Sequence, residues 1–141
     1  MRVEVVDRVS DELLDAFQRL IPQLTNKTPP ARTGLNALVK SESSTLLVAR
    51  ADDSAIVGAL SLTVYRVPTG VRSIIEDVVV DAAARRKGIG EAMMRRALEI
   101  AREKGAAHVT LTSNPGREAA NRMYLRLGFK KRETNAYIYK F

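Results

Sequence analysis

Between Val71 and Gly105 the chain passes from a valine-rich run, Val71–Val80, through a basic stretch with two glycines, Arg85–Gly90, into a segment with helical apolar spacing. Few folds accommodate that succession. An apolar run of this kind predicts a strand. Ile89, Met93, Ala97 and Ile100 recur every three or four residues, which predicts an amphipathic helix over Lys87–Lys104, stopped by Gly105. The turn between them also has a chemistry. Glycines let backbone N–H groups come close to a ligand, and a helix N-terminus offers unpaired donors with a partial positive charge. Arg85, Arg86 and Lys87 add mobile positive charge beside them. The combination suits a pyrophosphate; the plainer alternative is a flexible turn that happens to be basic. It is not the phosphate loop of nucleoside triphosphatases, because no Gly-Lys-Ser/Thr follows the second glycine. Nor is it the dinucleotide fingerprint, which needs a third glycine and another order of strands.

The flanking sequence predicts a mixed fold. Arg2–Val6 alternates as a short strand, and Ser10 precedes a helix carrying Leu13, Leu14, Phe17, Leu20 and Ile21, with Asp11 and Glu12 placed to suit its dipole. Thr25–Pro30 is a loop, and Arg32–Lys40 a second short helix. Thr45–Arg50, Ala55–Arg66 and Val71–Val80 are three strands joined by tight turns at Ala51–Ser54 and Pro68–Gly70, hence an antiparallel meander. After the long helix come a strand over Ala107–Thr112, a helix over Arg117–Leu127 stopped by Gly128, and two closing strands, Phe129–Arg132 and Tyr137–Phe141. The order is β-α-α-β-β-β-α-β-α-β-β, a mixed α/β (α+β) arrangement whose second half favours parallel pairing. At 141 residues, with no repeat or linker, residues 1–141 make one domain.

Composition removes several chemistries. The chain has no Cys and one His, which excludes disulfides, thiolate or multi-histidine metal sites and a cysteine nucleophile. His108 lacks both a His-x-x-x-Asp partner, since Thr112 stands there, and a Gly-x-Ser-x-Gly elbow, so it reads as a strand or surface residue. No apolar run approaches a membrane span and the start is no signal peptide, so the expected location is cytoplasmic, without a membrane partner. The net charge of +7 is unevenly placed: residues 1–84 carry 9 basic and 11 acidic groups, residues 85–141 carry 14 and 5. Such a basic half suits a polyanion or is simply a solvated face. With aromatics at 5% and no base-reading motif, nucleic acid is not the expected partner.

Arg85-Arg86-Lys87-Gly88-Ile89-Gly90 matches the (Gln or Arg)-x-x-Gly-x-(Gly or Ala) signature of the GNAT family of N-acetyltransferases, and it stands where that family has it, between a valine-rich strand and a helix. Glu76–Asp81 looks like the family's fourth strand. The block Asn114–Phe129 resembles the family's segment after strand five, where an aromatic-Tyr pair is followed by Gly-Phe. The resemblance covers residues from about 45 to the C-terminus. It departs at Arg86, where many members have glycine, and at Met123, in place of a frequent aromatic.

The resemblance implies a GNAT fold with a central, mostly antiparallel mixed sheet, and transfer of acetyl from acetyl-coenzyme A directly to an amine. It implies that the backbone of Val78, Val79 and Val80 pairs with the pantetheine arm, and that the amides across Arg85, Arg86, Lys87, Gly88, Ile89 and Gly90, with Glu91 and Ala92 close by, hold the pyrophosphate. Asn114 and Asn121 match positions that bond the cofactor, although Asn121 also reads as an exposed helix residue. Tyr124 matches the tyrosine that donates to the coenzyme A sulfur, the candidate general acid. Glu76, read by strand alternation as sharing a face with Val78, is the candidate general base through water, or an anchor for an amine cation. Asp77 is its alternate, since a bulge would exchange the two; both also fit charged guards of a strand edge. The expected partners are acetyl-coenzyme A and an amine acceptor, with a homodimer common in the family; Lys130, Lys131 and Arg132 have no assigned role. The competing function is a non-catalytic acyl-coenzyme A sensor.

Overall fold

A computed structural model describes all 141 residues. Five strands, β1 (Arg2–Val5), β2 (Ser44–Arg50), β3 (Ile56–Val67), β4 (Gly70–Val80) and β5 (Val109–Thr110), form one sheet in that order. β1 to β4 are successively antiparallel, through tight turns from β2 to β3 and β3 to β4 and through a helical connection from β1 to β2, while β4 and β5 run parallel. Helices α1 (Asp11–Leu20) and α2 (Arg32–Lys40) cover one face; α3 (Ile89–Glu103) and α4 (Glu118–Arg126) cover the other. β2 shows why its sequence is apolar throughout. Leu46 and Val48 pack with Leu13, Phe17 and Leu35 of the first pair, whereas Leu47 and Ala49 pack with Met93, Met94 and Ala97 of α3. A strand buried on both faces has no polar side to show.

Local chemistry sets the elements in place. The Ser10 hydroxyl accepts from the Leu13 N–H at 3.1 Å and caps α1. Arg50 grips Glu12 with two bonds of 2.8 and 3.0 Å and donates to Glu4 at 2.8 Å, tying α1 to β1 and β2. That guanidinium holds the carboxyls of Glu4 and Glu12 below the ordinary range. No helix is long and apolar enough to cross a membrane.

Three features depart from the sequence expectation. The first is a bulge in β4: Ser61 pairs with Glu76 but Ala59 pairs with Val79, so β4 holds one extra residue, and Asp77 sits at φ 53°. The bulge shifts the alternation. Val78 and Val80 now join Ile75 on the α3 face, while Val79 packs toward α1 and α2. The expectation that Glu76 shares a face with Val78 therefore fails. Second, β5 is only two residues long, pairing at Ser73–Val109 and Ile74–Thr110, and the ladder ends there. Third, Phe129–Arg132 and Tyr137–Phe141 are not strands, and every residue from Lys130 to Phe141 is exposed. A strand needs a backbone to pair with, and these residues meet none within the chain.

Candidate active site

Because β4 and β5 part after Ile74–Thr110, a cavity of about 300 Å³ opens between Glu76–Val78 and the chain leaving β5, Leu111–Asn114. Both carboxylates, Glu76 and Asp77, line it, so the bulge brings together two residues that regular pleating would send to opposite faces. On its β5 side, the β4 backbone beyond Ile74 has no partner strand. That is an open edge for an extended, amide-bearing ligand.

Tyr124 enters the cavity from α4. Its side chain is 6% exposed, its ring lies against Phe129 at a centroid distance of 6.0 Å, and its carbonyl accepts from the Phe129 N–H at 3.0 Å. Gly128, at φ 102°, makes the turn that folds Phe129 back. The ring is therefore fixed while the hydroxyl takes part in none of the hydrogen bonds of the protein. Ser113 lines the same cavity, and its Oγ is buried without a hydrogen-bond partner. Leaving such a hydroxyl unpaired costs about 1–3 kcal/mol, so a ligand with a polar group at this place relieves the deficit. Ser113 has no motif to announce it; only the geometry singles it out. Asn114 also lines the cavity. Asn121 does not reach it: its Nδ2 donates to the Asn114 carbonyl at 3.0 Å, and the Arg117 N–H donates to that oxygen at 3.1 Å, so Asn121 holds the turn that carries Asn114.

The basic loop leaves β4 under tight control. The Asp81 carboxylate accepts from the Ala83 N–H and from Arg19 of α1, both at 3.1 Å, and the Ala82 N–H donates to Gln23 at 2.8 Å. The backbone bond first, and then Arg19, keep the Asp81 carboxyl below its usual range. Arg85 turns back to the Val80 carbonyl at 3.2 Å. Arg86 at φ 65° and Gly88 at φ 76° then make two left-handed turns before α3. Gly88 provides no side-chain cap, and the first backbone bond of the helix runs from Ala92 to Gly88, so the N–H groups of Ile89, Gly90 and Glu91 are free of helical partners. Ile89 is buried and anchors the turn. A Cβ on Gly90 would touch Met123 and Val80 at 3.6 Å, ordinary contact distances. This first turn therefore abuts both the end of β4 and α4. Arg85, Arg86 and Lys87 stay exposed around it. The open edge, the orphaned hydroxyl and the uncapped helix fit a ligand that is amide-bearing at one end and anionic at the other.

Comparison with known proteins agrees with this geometry. Residues 7–129 match the model of the acetyltransferase (GNAT) family, and the chain belongs to that family. Over 65 residues it is 43% identical to a probable glucosamine 6-phosphate N-acetyltransferase 2 of Oryza sativa subsp. japonica, a stretch that is 46% of this chain and 37% of that protein. Over 90 residues it is 37% identical to the streptothricin acetyltransferase of Streptomyces lavendulae, 63% of this chain and 46% of that one. The matched stretches thus span about half or less of these relatives. Among solved structures, a Trypanosoma brucei acetyltransferase superposes with a TM-score of 0.79 at 26% identity, covering 99% of each chain.

Proposed function

We propose that this protein is an acetyl-coenzyme A-dependent N-acetyltransferase that moves an acetyl group directly to a primary amine. One observation carries the reading. The β4 bulge opens a single cavity where Glu76, Asp77 and Tyr124 meet, bordered by an unpaired strand edge that leads to an uncapped, cationic helix start. Acetyl-coenzyme A supplies an acetyl thioester when bound. Val78 to Val80 offer it backbone partners, and Arg85–Gly90 with Glu91 offer amides and positive charge to its phosphates. Either carboxylate attracts the amine as a cation, which gives one proton to water before reaction; Glu76 then takes the second from nitrogen as it attacks, directly or through water, with Asp77 as the alternate. As the nitrogen bonds the acetyl carbon and the carbon–sulfur bond breaks, the Tyr124 hydroxyl gives a proton to the departing sulfur. Ser113 orients the polar groups nearest it.

The acceptor is a small amine or a protein amino group. The names of the rice and Streptomyces relatives put small amines first. The homodimer and the cytoplasmic location belong to the same reading.

Thermal unfolding tests cofactor binding. A ligand at 100 times its Kd adds about 2.7 kcal/mol to the folded state, so excess acetyl-coenzyme A raises Tm by several degrees. No change at millimolar concentration removes the assignment. Arg86→Gly separates the two roles of the loop. Arginine at φ 65° costs about 1 kcal/mol, so the variant melts at or above the temperature of the parent. Loss of the cation weakens acetyl-coenzyme A binding several-fold in calorimetry; unchanged affinity sinks the phosphate role of Arg86.

A further inference from the structure

Arg117 is the only cation lining the cavity that holds Glu76, Asp77 and Tyr124. Its backbone N–H donates to the Asn114 carbonyl at 3.1 Å and fixes the turn into α4. Its guanidinium takes part in none of the hydrogen bonds or ion pairs of the protein, and the carboxylates of Glu76 and Asp77 are equally unpaired. Free charges are ordinary on an open surface. In a concave site a few polar groups of fixed place orient the ligand, and here they are two carboxylates on the β4 wall and one guanidinium at the start of α4. The Ser113 hydroxyl, buried without a partner in the same cavity, is a further unmet polar group.

Acetyl-coenzyme A does not supply the missing counter-ion. On the acetyl-transfer reading, on which this inference rests, the pantetheine arm along β4 is uncharged and the phosphates belong to the first turn of α3. Gly90 of that turn faces Val80 and Met123. Arg117 lies about 9 Å from Met123 along the rise of α4. Glu76 lies roughly 12 Å from Val80 along β4. The anion that Arg117 lacks then comes with the acceptor. A simple ammonium ion meets Arg117 as a like charge, whereas a molecule with an ammonium at one end and an anion at the other satisfies both walls. We propose that the acceptor is an amine that carries its own carboxylate or phosphate, with Arg117 holding the anion through its two-pronged guanidinium and Glu76 or Asp77 holding the ammonium. The cavity of about 300 Å³ suits a small molecule of this kind. Transfer joins the nitrogen to the acetyl carbon and breaks the carbon–sulfur bond, so the ammonium and the thioester give the amide, the free thiol and one proton. The amide is neutral; the carboxylates lose their hold on it, and the product leaves with Arg117 as its one charge contact.

Matched amines test this by thiol release. 2-Aminoethyl phosphate is set against ethanolamine, and β-alanine against its neutral amide, each with acetyl-coenzyme A in excess. In at least one pair the anionic member has a kcat/KM about tenfold higher or more, and the pair that shows it tells phosphate from carboxylate. Arg117→Gln erases the preference at unchanged acetyl-coenzyme A affinity, and Arg117→Lys restores part of it. The guanidinium holds nothing else in the protein, so both variants keep the fold. Arg122→Gln, on the same helix outside the cavity, keeps the preference of the parent. Neutral amines that react as fast as their anionic partners overturn the proposal. So does a preference that survives Arg117→Gln, or a loss of acetyl-coenzyme A affinity in that variant, which would make Arg117 a cofactor residue. If no amine releases thiol, acetyl transfer itself has failed, and calorimetry on the protein saturated with coenzyme A still decides the anion site. There 2-aminoethyl phosphate or β-alanine binds the parent more tightly than its neutral partner and loses that advantage in Arg117→Gln; equal binding in the parent refutes the site.

Discussion

Tyr124→Phe is expected to lower turnover by about 100-fold or more while changing acetyl-coenzyme A affinity by less than about threefold, the signature of a lost proton donor. The structure makes this substitution clean. The ring contact with Phe129 and the burial of the side chain depend on carbon atoms that phenylalanine retains. The hydroxyl bonds to no other group of the protein, so its removal leaves no orphaned partner behind. Tm should stay within about a degree of the parent. Initial rates and calorimetry on the same preparation decide the matter. Equal losses in turnover and affinity would make Tyr124 a binding residue, and no loss in turnover would leave the departing sulfur to another donor.

Gly58→Val carries the largest expected loss of stability. Gly58 pairs with Val80 on β4, beneath α3. A Cβ there would stand 2.9 Å from Met93 Cε and 3.2 Å from the Val79 carbonyl oxygen. Met93 Cε ends a flexible chain and can move, so Gly58→Ala costs about 1 kcal/mol. Valine adds two more carbons against a helix and a strand that cannot both retreat, at about 3 kcal/mol. For a chain of this size that lowers Tm by roughly 10 °C. The damage reaches the end of β4 as well, because Val79 and α3 at Met93 are the surfaces forced apart. Urea titration of the glycine, alanine and valine forms should give a graded series; a valine form as stable as the parent contradicts the packing described for β3, β4 and α3.

Much of the basic loop, Arg85–Gly90, is legible in the sequence because its constraints are local. Gly88 stands at φ 76°, a conformation that disfavours any side chain, whereas Gly90 has room for a methyl group. The signature asks for glycine at the first position and accepts alanine at the second for these reasons. The turn at Gly128 and the return of Phe129 onto Tyr124 are likewise short-range. What escapes sequence reading is relational. Ile74–Val80 is an unbroken strand by composition, and the bulge at Asp77 exists only in its register against β3. Asp tolerates φ 53° better than most residues, a hint too weak to locate a bulge unaided. The bulge reassigns the faces of Glu76 and Val78, so the face expected for Glu76 was wrong, and Glu76 lines the cavity together with Asp77. Ser113 is conspicuous only once its missing partner is counted. Phe129–Arg132 and Tyr137–Phe141 show the reverse failure: alternation reveals a propensity to pair, and no strand of the chain's own sheet pairs with them.

Acetyl transfer itself is measured most directly by thiol release. Because the protein contains no Cys, every thiol that appears when it is mixed with acetyl-coenzyme A comes from the coenzyme. A panel of amino sugars, aminoglycoside-like polyamines, simple alkyl amines and lysine-bearing peptides should contain at least one acceptor that releases thiol at a rate proportional to enzyme. The acetylated amine should form in equal amount, and Tyr124→Phe should abolish most of both. Tight binding of acetyl-coenzyme A with no acceptor-dependent thiol release anywhere in the panel would contradict transfer and leave a protein that senses the cofactor without using it.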